Sequence, residues 1–271
     1  MELSITNDLF QFAFCGMKDQ WYKKLDRLAK LALPEKWSYR NPLPTGQNQE
    51  TPILENYILH TFKRLAFEYE QAKTDQEREE IFSVVGDKLC FNTGLFTTTY
   101  ETIYAAFRKN RVSGKEPWYL TCFSDTGDPF FRDFLHLPRR AQYFSKISEL
   151  IYDTNAELRV NTAHILQNDR NRERLPESLK DSPYLTTLFN GAVELAKKKI
   201  EANYKAAVPQ FYDNQLCFLL PICLTNMDNA DLSLAVRWHD GYYTGHTCLT
   251  LDMAYNNARL IACPNSEWLK P

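Results

Sequence analysis

Residues 231–261, DLSLAVRWHDGYYTGHTCLTLDMAYNNARLI, carry the densest structural signal in the chain. Leu232, Leu234, Val236 and Trp238 alternate with Ser233, Ala235, Arg237 and His239, the period of a half-buried strand. Asp240-Gly241 then suits the positive φ angles of a type I′ turn, so residues 242–251 are expected to return as a second strand. A two-residue turn sets the register: His239 faces Tyr242, Trp238 faces Tyr243, Arg237 faces Thr244 and Ala235 faces His246. That register gathers Arg237, His239, Tyr242, Thr244 and His246 on one polar face and leaves the other face aliphatic.

Beyond the hairpin, Asp252 is placed to cap a helix of about two turns, and Pro264 marks its exit. On a helical wheel Met253, Ala254, Ala258, Leu260 and Ile261 form an apolar arc that also contains Asn257. Asn257 is therefore expected to be buried and hydrogen-bonded, since an unpaired buried amide costs about 1 to 3 kcal/mol. Tyr255, Asn256 and Arg259 are expected to point away, with Tyr255 and Arg259 sharing a face.

Upstream, NQLCFLLPICL at residues 214–224 reads as a strand covered on both faces, with Pro221 at a bulge or an edge. It supplies a third antiparallel strand. Residues 184–207 read as the longest helix, with Leu185, Leu188, Ala192, Ala196, Ile200 and Tyr204 inward and Lys197, Lys198 and Lys199 in solvent. Before it, Asn161 to Leu166 and then NDRNRER at 168–174 read as a segment followed by a solvated or anion-binding loop, with His164 beside it. Leu137-Pro138-Arg139-Arg140 is expected to open a helix, the arginines facing Asp133, another acid or an anion.

Toward the N-terminus, Trp21, Leu25, Leu28 and Ala32 mark a first helix, and WSYRNPLPTGQNQETP a connector on which Trp37 can dock. Thr51-Pro52 opens a core helix with Leu54, Ile58, Phe62, Leu65, Tyr69 and Ala72 inward. Leu89-Cys90-Phe91 reads as a strand entering a turn at Asn92-Thr93-Gly94. Thr98 and Glu101 have capping-box spacing, and Tyr100, Ile103, Tyr104 and Phe107 fit a helix. Ile103 to Phe107 also fits a strand, the reading preferred here, which could close a hairpin with Trp118 to Phe123.

The sum is an α+β fold, a mainly antiparallel sheet with a C-terminal hairpin, covered by the helices near 53–72 and 184–207. One domain is expected over residues 1–271, with a helical portion over about residues 1–75. With 32 Lys and Arg against 34 Asp and Glu, the chain lacks the basic surface of a protein that coats duplex DNA. MELSITNDLFQF lacks the pattern of a secretory leader, and no apolar run reaches membrane-spanning length, so a cytoplasmic protein off the membrane is expected. Cys15, Cys90, Cys122, Cys217, Cys223, Cys248 and Cys263 form no Cys-x-x-Cys pair and read as reduced residues of the core.

Several blocks together resemble a known family: Phe91 to Leu95, Asn161 with His164-Ile165-Leu166, Asn203-Tyr204-Lys205, Leu219-Leu220-Pro221, Thr250 to Arg259, and Trp268-Leu269. The block from Thr250 to Arg259 is the specific part. The resemblance is to the uncharacterised bacterial domain-of-unknown-function family DUF3825 and covers about residues 85–271. Similar domains in some proteins accompany OST-HTH modules, predicted RNA binders, so the resemblance implies an RNA-associated setting and supplies no catalytic residues.

Three functions fit the residues. A nucleotide or single-stranded RNA binder would use Asn161, Arg172, Arg174, Arg237, His239, Tyr242 and Arg259, with Arg139 and Arg140 as further cations. An enzyme acting on a nucleotide or RNA phosphate, a metal-independent hydrolase or phosphodiesterase, would use His164 and His246 as acid and base. An interaction or oligomerisation domain would follow if Trp118-Tyr119 and Phe130-Phe131 were exposed. The aspartates show no metal-ligand spacing, there is no Walker loop, Gly-x-Ser-x-Gly or His-Glu-x-x-His, and the cofactor is left unknown.

Overall fold

A computed structural model describes residues 3–40 and 50–270. The chain forms two compact units, Met1–Gln142 and Tyr143–Pro271. Each is built on a five-stranded mixed sheet that is antiparallel except at one edge. An α+β fold with a mainly antiparallel framework is therefore present.

In the first unit a short helix α1 (Leu9–Phe12) leads into β1 (Ala13–Phe14), followed by α2 (Lys18–Leu31), α3 (Pro52–Gln71) and α4 (Asp75–Glu79). Strands β2 (Ser83–Val85), β3 (Lys88–Phe96), β4 (Thr102–Lys109) and β5 (Trp118–Ser124) complete a sheet of order β1-β5-β4-β3-β2. Pro52 sits at the start of α3 as expected, and Leu54, Ile58, Phe62 and Leu65 are fully buried. Phe62 packs against Phe12, Phe82 and Phe91, and Phe91 against Phe107, so helices and sheet share one aromatic core. The opposite face of the sheet buries Cys90, Tyr104 and Ala106 under Phe130 and Phe131 of the 3-10 turn Pro129–Asp133. Trp118, Phe130 and Phe131 are thus core residues and not the exposed patch that an interaction domain would present.

Other local expectations are corrected here. The connector lies partly outside the described residues, but Trp37 is buried beside Tyr57. Asn92-Thr93-Gly94 is a bulge inside β3 and not a turn, because β4 pairs with the strand on both sides of it. Thr93 Oγ1 donates to the Ile103 carbonyl and accepts from Leu95 N–H, which satisfies groups that the bulge removes from the ladder. Residues 137–142 form no helix. Their backbone is held elsewhere: Arg139 N–H donates to the Glu80 carbonyl, Gln142 N–H to Glu68, and Asn92 Nδ2 to the Pro138 carbonyl. The Arg139 guanidinium pairs with Glu68 at 2.7 Å, while Asp133 pairs with Lys88.

The second unit begins its sheet with β6 (Glu157–Val160), then places α5 (Thr162–Gln167), α6 (Asp169–Arg174) and α7 (Leu185–Ala202) before β7 (Val208–Tyr212), β8 (Gln215–Ile222), β9 (Leu232–His239), β10 (Tyr242–Leu249) and α8 (Leu251–Arg259). The strand order is β6-β10-β9-β8-β7, with β6 parallel to β10. Asp240 and Gly241 have φ of 44° and 96°, and His239, Trp238 and Arg237 oppose Tyr242, Tyr243 and Thr244 as expected. Pro221 lies beyond the end of β7, which pairs with β8 only as far as Leu219, so the missing N–H falls on a free edge. Phe189, Ala192, Ala196 and Ile200 of α7 pack with Ile165 and Leu166 of α5 on Phe218, Leu220, Leu234, Val236 and Tyr243. Leu188 is exposed, with Phe189 on the buried side in its stead, and Tyr204 is exposed in the 3-10 turn Tyr204–Ala206 past the end of α7. The helix near residues 53–72, expected over this sheet, instead packs in the first unit, where Tyr57 Oη donates to the Thr93 carbonyl at 2.9 Å. NDRNRER is helical and not a loop, because Asn168 caps α6 by accepting from Asn171 N–H.

The helix α8 folds back on the other face of this sheet, against β7, β9 and β10. Thr250 caps it, accepting from Met253 N–H, and Asp252 instead lies in the first turn. Ala254 and Ala258 face the sheet, and Asn257 Nδ2 donates at 2.9 Å to Oε1 of the buried Gln210 on β7. The expected outward position of Tyr255 and Arg259 is corrected: both are buried, Arg259 at 9% exposure, while Met253 is partly exposed. The wheel located the inner arc about one residue off because it had no sheet to orient it. Among the described residues the cysteines are all free, and no helix is long and apolar enough to cross a membrane.

Three stability predictions arise from this packing. Gly94 has φ of 74°, and an added Cβ would meet Tyr57 Oη at 2.6 Å. Gly94→Ala should lower unfolding free energy by about 2 kcal/mol in denaturant titrations, from left-handed strain and the displaced Tyr57 hydroxyl. Asn257→Ala leaves the Gln210 amide short of a partner and should cost about 1 to 2 kcal/mol. Arg259→Ala should likewise lower the thermal midpoint, and an unchanged midpoint in either α8 variant would contradict its docking role.

Candidate functional site

Side chains alternate across each strand of the second sheet, so every second residue leaves the α7-covered core for the opposite face. That face carries Gln210 and Tyr212 on β7, Gln215, Cys217 and Leu219 on β8, Ser233, Ala235, Arg237 and His239 on β9, Tyr242, Thr244 and Thr247 on β10, and Glu157 and Arg159 on β6. α8 has only nine residues and covers one half of it, over Gln210 and Ser233. The half toward the hairpin tips stays open: Arg237, His239, Tyr212, Gln215, Glu157 and Arg159 are exposed, and Tyr242 and Thr244 are half-buried.

On the open half the His239 and Tyr242 rings meet edge to face, with centroids 5.5 Å apart. The Arg159 guanidinium lies 3.8 Å above the Tyr242 ring, and its Nη2 bonds Glu157 at 2.6 Å. Their pairing holds the Glu157 carboxyl below its ordinary pKa and Arg159 above its own, so both are ionised near neutrality. Arg237 stands beside the Cys217 thiol, whose pKa burial pushes up while Arg237 draws it down. The surface thus offers two guanidinium groups, two adjacent rings and polar side chains on one face of the sheet. It can stack planar groups and bind anions.

The expected site residues separate on this geometry. Arg237, His239 and Tyr242 lie together, as the hairpin register predicted. His246 leaves the ladder: a bulge between Gly245 and Thr247 sets Thr247, not His246, opposite Ala235. The bulge occurs where Gly245 packs against Leu234, a contact in which an added Cβ would approach Leu234 Cδ1 to 3.2 Å. Asn161 caps α5 through His164 N–H, and His164 is exposed on that helix. Arg172 Nη2 donates to the Lys180 carbonyl at 3.0 Å, and Arg174 Nη1 to the Cys248 carbonyl. Since Ile165, Leu166 and Leu175 pack into the core beneath Leu234 and Val236, α5 and α6 belong to the face opposite Arg237. Arg139 and Arg140 belong to the first unit, and Arg259 is buried in α8.

Arg159 and Glu157 were not among the expected residues. Their signal is the alternation Glu157-Leu158-Arg159-Val160, but four residues pairing in parallel with a distant strand announce no turn. Among the described residues, no group of three or more His, Cys, Asp or Glu side chains could hold a metal ion.

Comparison with known proteins identifies one family, "Domain of unknown function (DUF3825)", whose profile matches residues 28–268. The match reaches further toward the N-terminus than the resemblance over residues 85–271 implied. No curated protein and no solved structure gives a significant match. A profile that covers all the strands from β2 to β10 and the helices α3 to α8 places this chain in the DUF3825 family.

Proposed function

We propose that the protein binds a nucleotide or RNA on the open half of the second sheet. What carries this reading is the grouping of Arg237, His239 and Tyr242 with the Arg159 guanidinium stacked on Tyr242, on the part of the face that α8 leaves bare. Bases stack on aromatic rings and guanidinium planes, and arginines bind phosphate. The whole chain has a formal net charge of −2, so these cations are a local feature and not part of a basic coat.

A second reading places histidine acid–base chemistry on a nucleotide or RNA phosphate at the adjoining sheet edge. Asn161 N–H donates to the Gly245 carbonyl at 3.3 Å, which sets the bulge bearing His246 next to the start of the helix bearing His164. On that reading, His164→Ala or His246→Ala abolishes turnover and leaves binding nearly intact.

The binding reading is checked with a labelled short oligouridylate and with uridine monophosphate, titrated at several salt concentrations. Affinity should fall as salt rises, and Arg237→Ala should weaken binding and reduce the log–log salt slope by about 0.7 if it neutralises one single-strand phosphate. Absence of binding at low salt, or an Arg237→Ala variant indistinguishable from the parent, would remove the reading.

A further inference from the structure

The register of the second sheet aligns side chains from strands far apart in sequence. β7 pairs Tyr212 with Gln215, β9 pairs His239 with Tyr242, and β6 pairs Glu157 with Tyr242. The β8–β9 pairing ends at Phe218 and Val236, and just past it Arg237 stands beside Cys217. Two paired groups therefore end the same face of the sheet at the hairpin tips: Tyr212 with Gln215, and His239 with Tyr242 and Glu157. Two residues back from the second group, roughly 7 Å away, lie Arg237, Thr244 and Arg159.

Tyr212 is 60% exposed and stands two strands from His239 and three from Tyr242, roughly 10 and 14 Å at ordinary strand spacing. A single mononucleotide has one base and does not reach both groups. A single strand does. Its bases would occupy Tyr212, His239 and the Arg159–Tyr242 stack, and its phosphates the surface near Arg237, with the Gln215 amide on the strand between to bond a base edge. A sheet face of this width stacks about two or three bases. Both hairpin turns at this end are tight, with positive φ at Asp213, Asn214, Asp240 and Gly241, so neither hairpin carries a long loop over the face. Glu157 pairs with Arg159, so Arg237 is left as the main phosphate contact and stacking supplies the gain with length.

We infer that the ligand is a single-stranded oligonucleotide of about two or three nucleotides crossing the strands, with Tyr212 as the distal stacking residue that separates an oligomer from a free nucleotide. This rests on the binding face proposed above and assigns its substrate class. The experiment is a length series of uridylates, from the monophosphate to the pentamer, with the matching thymidylates in parallel to tell RNA from DNA. Affinity should rise up to the dimer or trimer and then level off, by about five- to a hundredfold per base stacked. Tyr212→Ala should remove the gain of the last base and leave the monophosphate unaffected, whereas Tyr212→Phe should retain it. Tyr242→Ala should weaken every length. Equal affinity for monomer and trimer, or a trimer affinity insensitive to Tyr212→Ala in a variant with the parent thermal midpoint, would overturn the inference while leaving the binding face standing. Loss of the face itself would show differently, as no binding at any length or no response to Arg237→Ala.

Discussion

The turn at Asp240-Gly241 is the constraint on which the second unit depends. Two residues at positive φ leave no slack between β9 and β10, so each side chain of one strand has a set partner on the other. A shift of one residue would turn Leu234 and Val236 out of the core and Arg237 into it, exchanging two fully buried aliphatic chains for a charge. Each such aliphatic side chain contributes about 1.5 to 3 kcal/mol on burial, so competing registers are strongly disfavoured. Both neighbours of the hairpin then follow. β8 pairs outside β9, and β6 pairs in parallel outside β10, with its own alternation brought into phase.

The two faces of that sheet have different covers, and function is proposed where the cover is shortest. On one side α7 runs for 18 residues and is joined by α5 and α6, enough to bury the aliphatic face. On the other side α8 has nine residues, and its Ala254 and Ala258 allow close approach over Gln210 and Ser233. The uncovered remainder is polar and aromatic, which water tolerates and a ligand can use. The first unit contrasts with this. Its sheet is covered on both faces, by phenylalanine-rich helices on one side and by Phe130 and Phe131 on the other, and it leaves no comparable open face on β3 or β4.

Several arginines that a sequence presents as candidate cations serve the fold instead. Arg174 and Arg172 bond backbone carbonyls of Cys248 and Lys180, and Arg139 pairs with the mostly buried Glu68. A guanidinium with five donors readily satisfies carbonyls that a sheet edge or turn leaves open. Arg237 and Arg159 differ in position and not in type. They project from a strand face and stay exposed to solvent.

By itself the sequence determined the elements whose signals are local. The alternation of residues 232–239, the Asp-Gly turn, the apolar stripe after Thr51-Pro52 and the doubly apolar run of β8 each depend on neighbours within a few positions, and each is present. So is the grouping of Arg237, His239 and Tyr242, because a two-residue turn turns a local signal into a cross-strand one. Only the tertiary structure decided the rest: the bulge that removes His246, the burial of Arg259, the split of α3 and the hairpin between two units, and the arrival of Glu157, Arg159 and Tyr212 on the open face. These depend on which surface packs against which. A helix wheel or a four-residue strand has no orientation until a distant sheet supplies one, and burial there, not periodicity along the chain, settles which side chains meet.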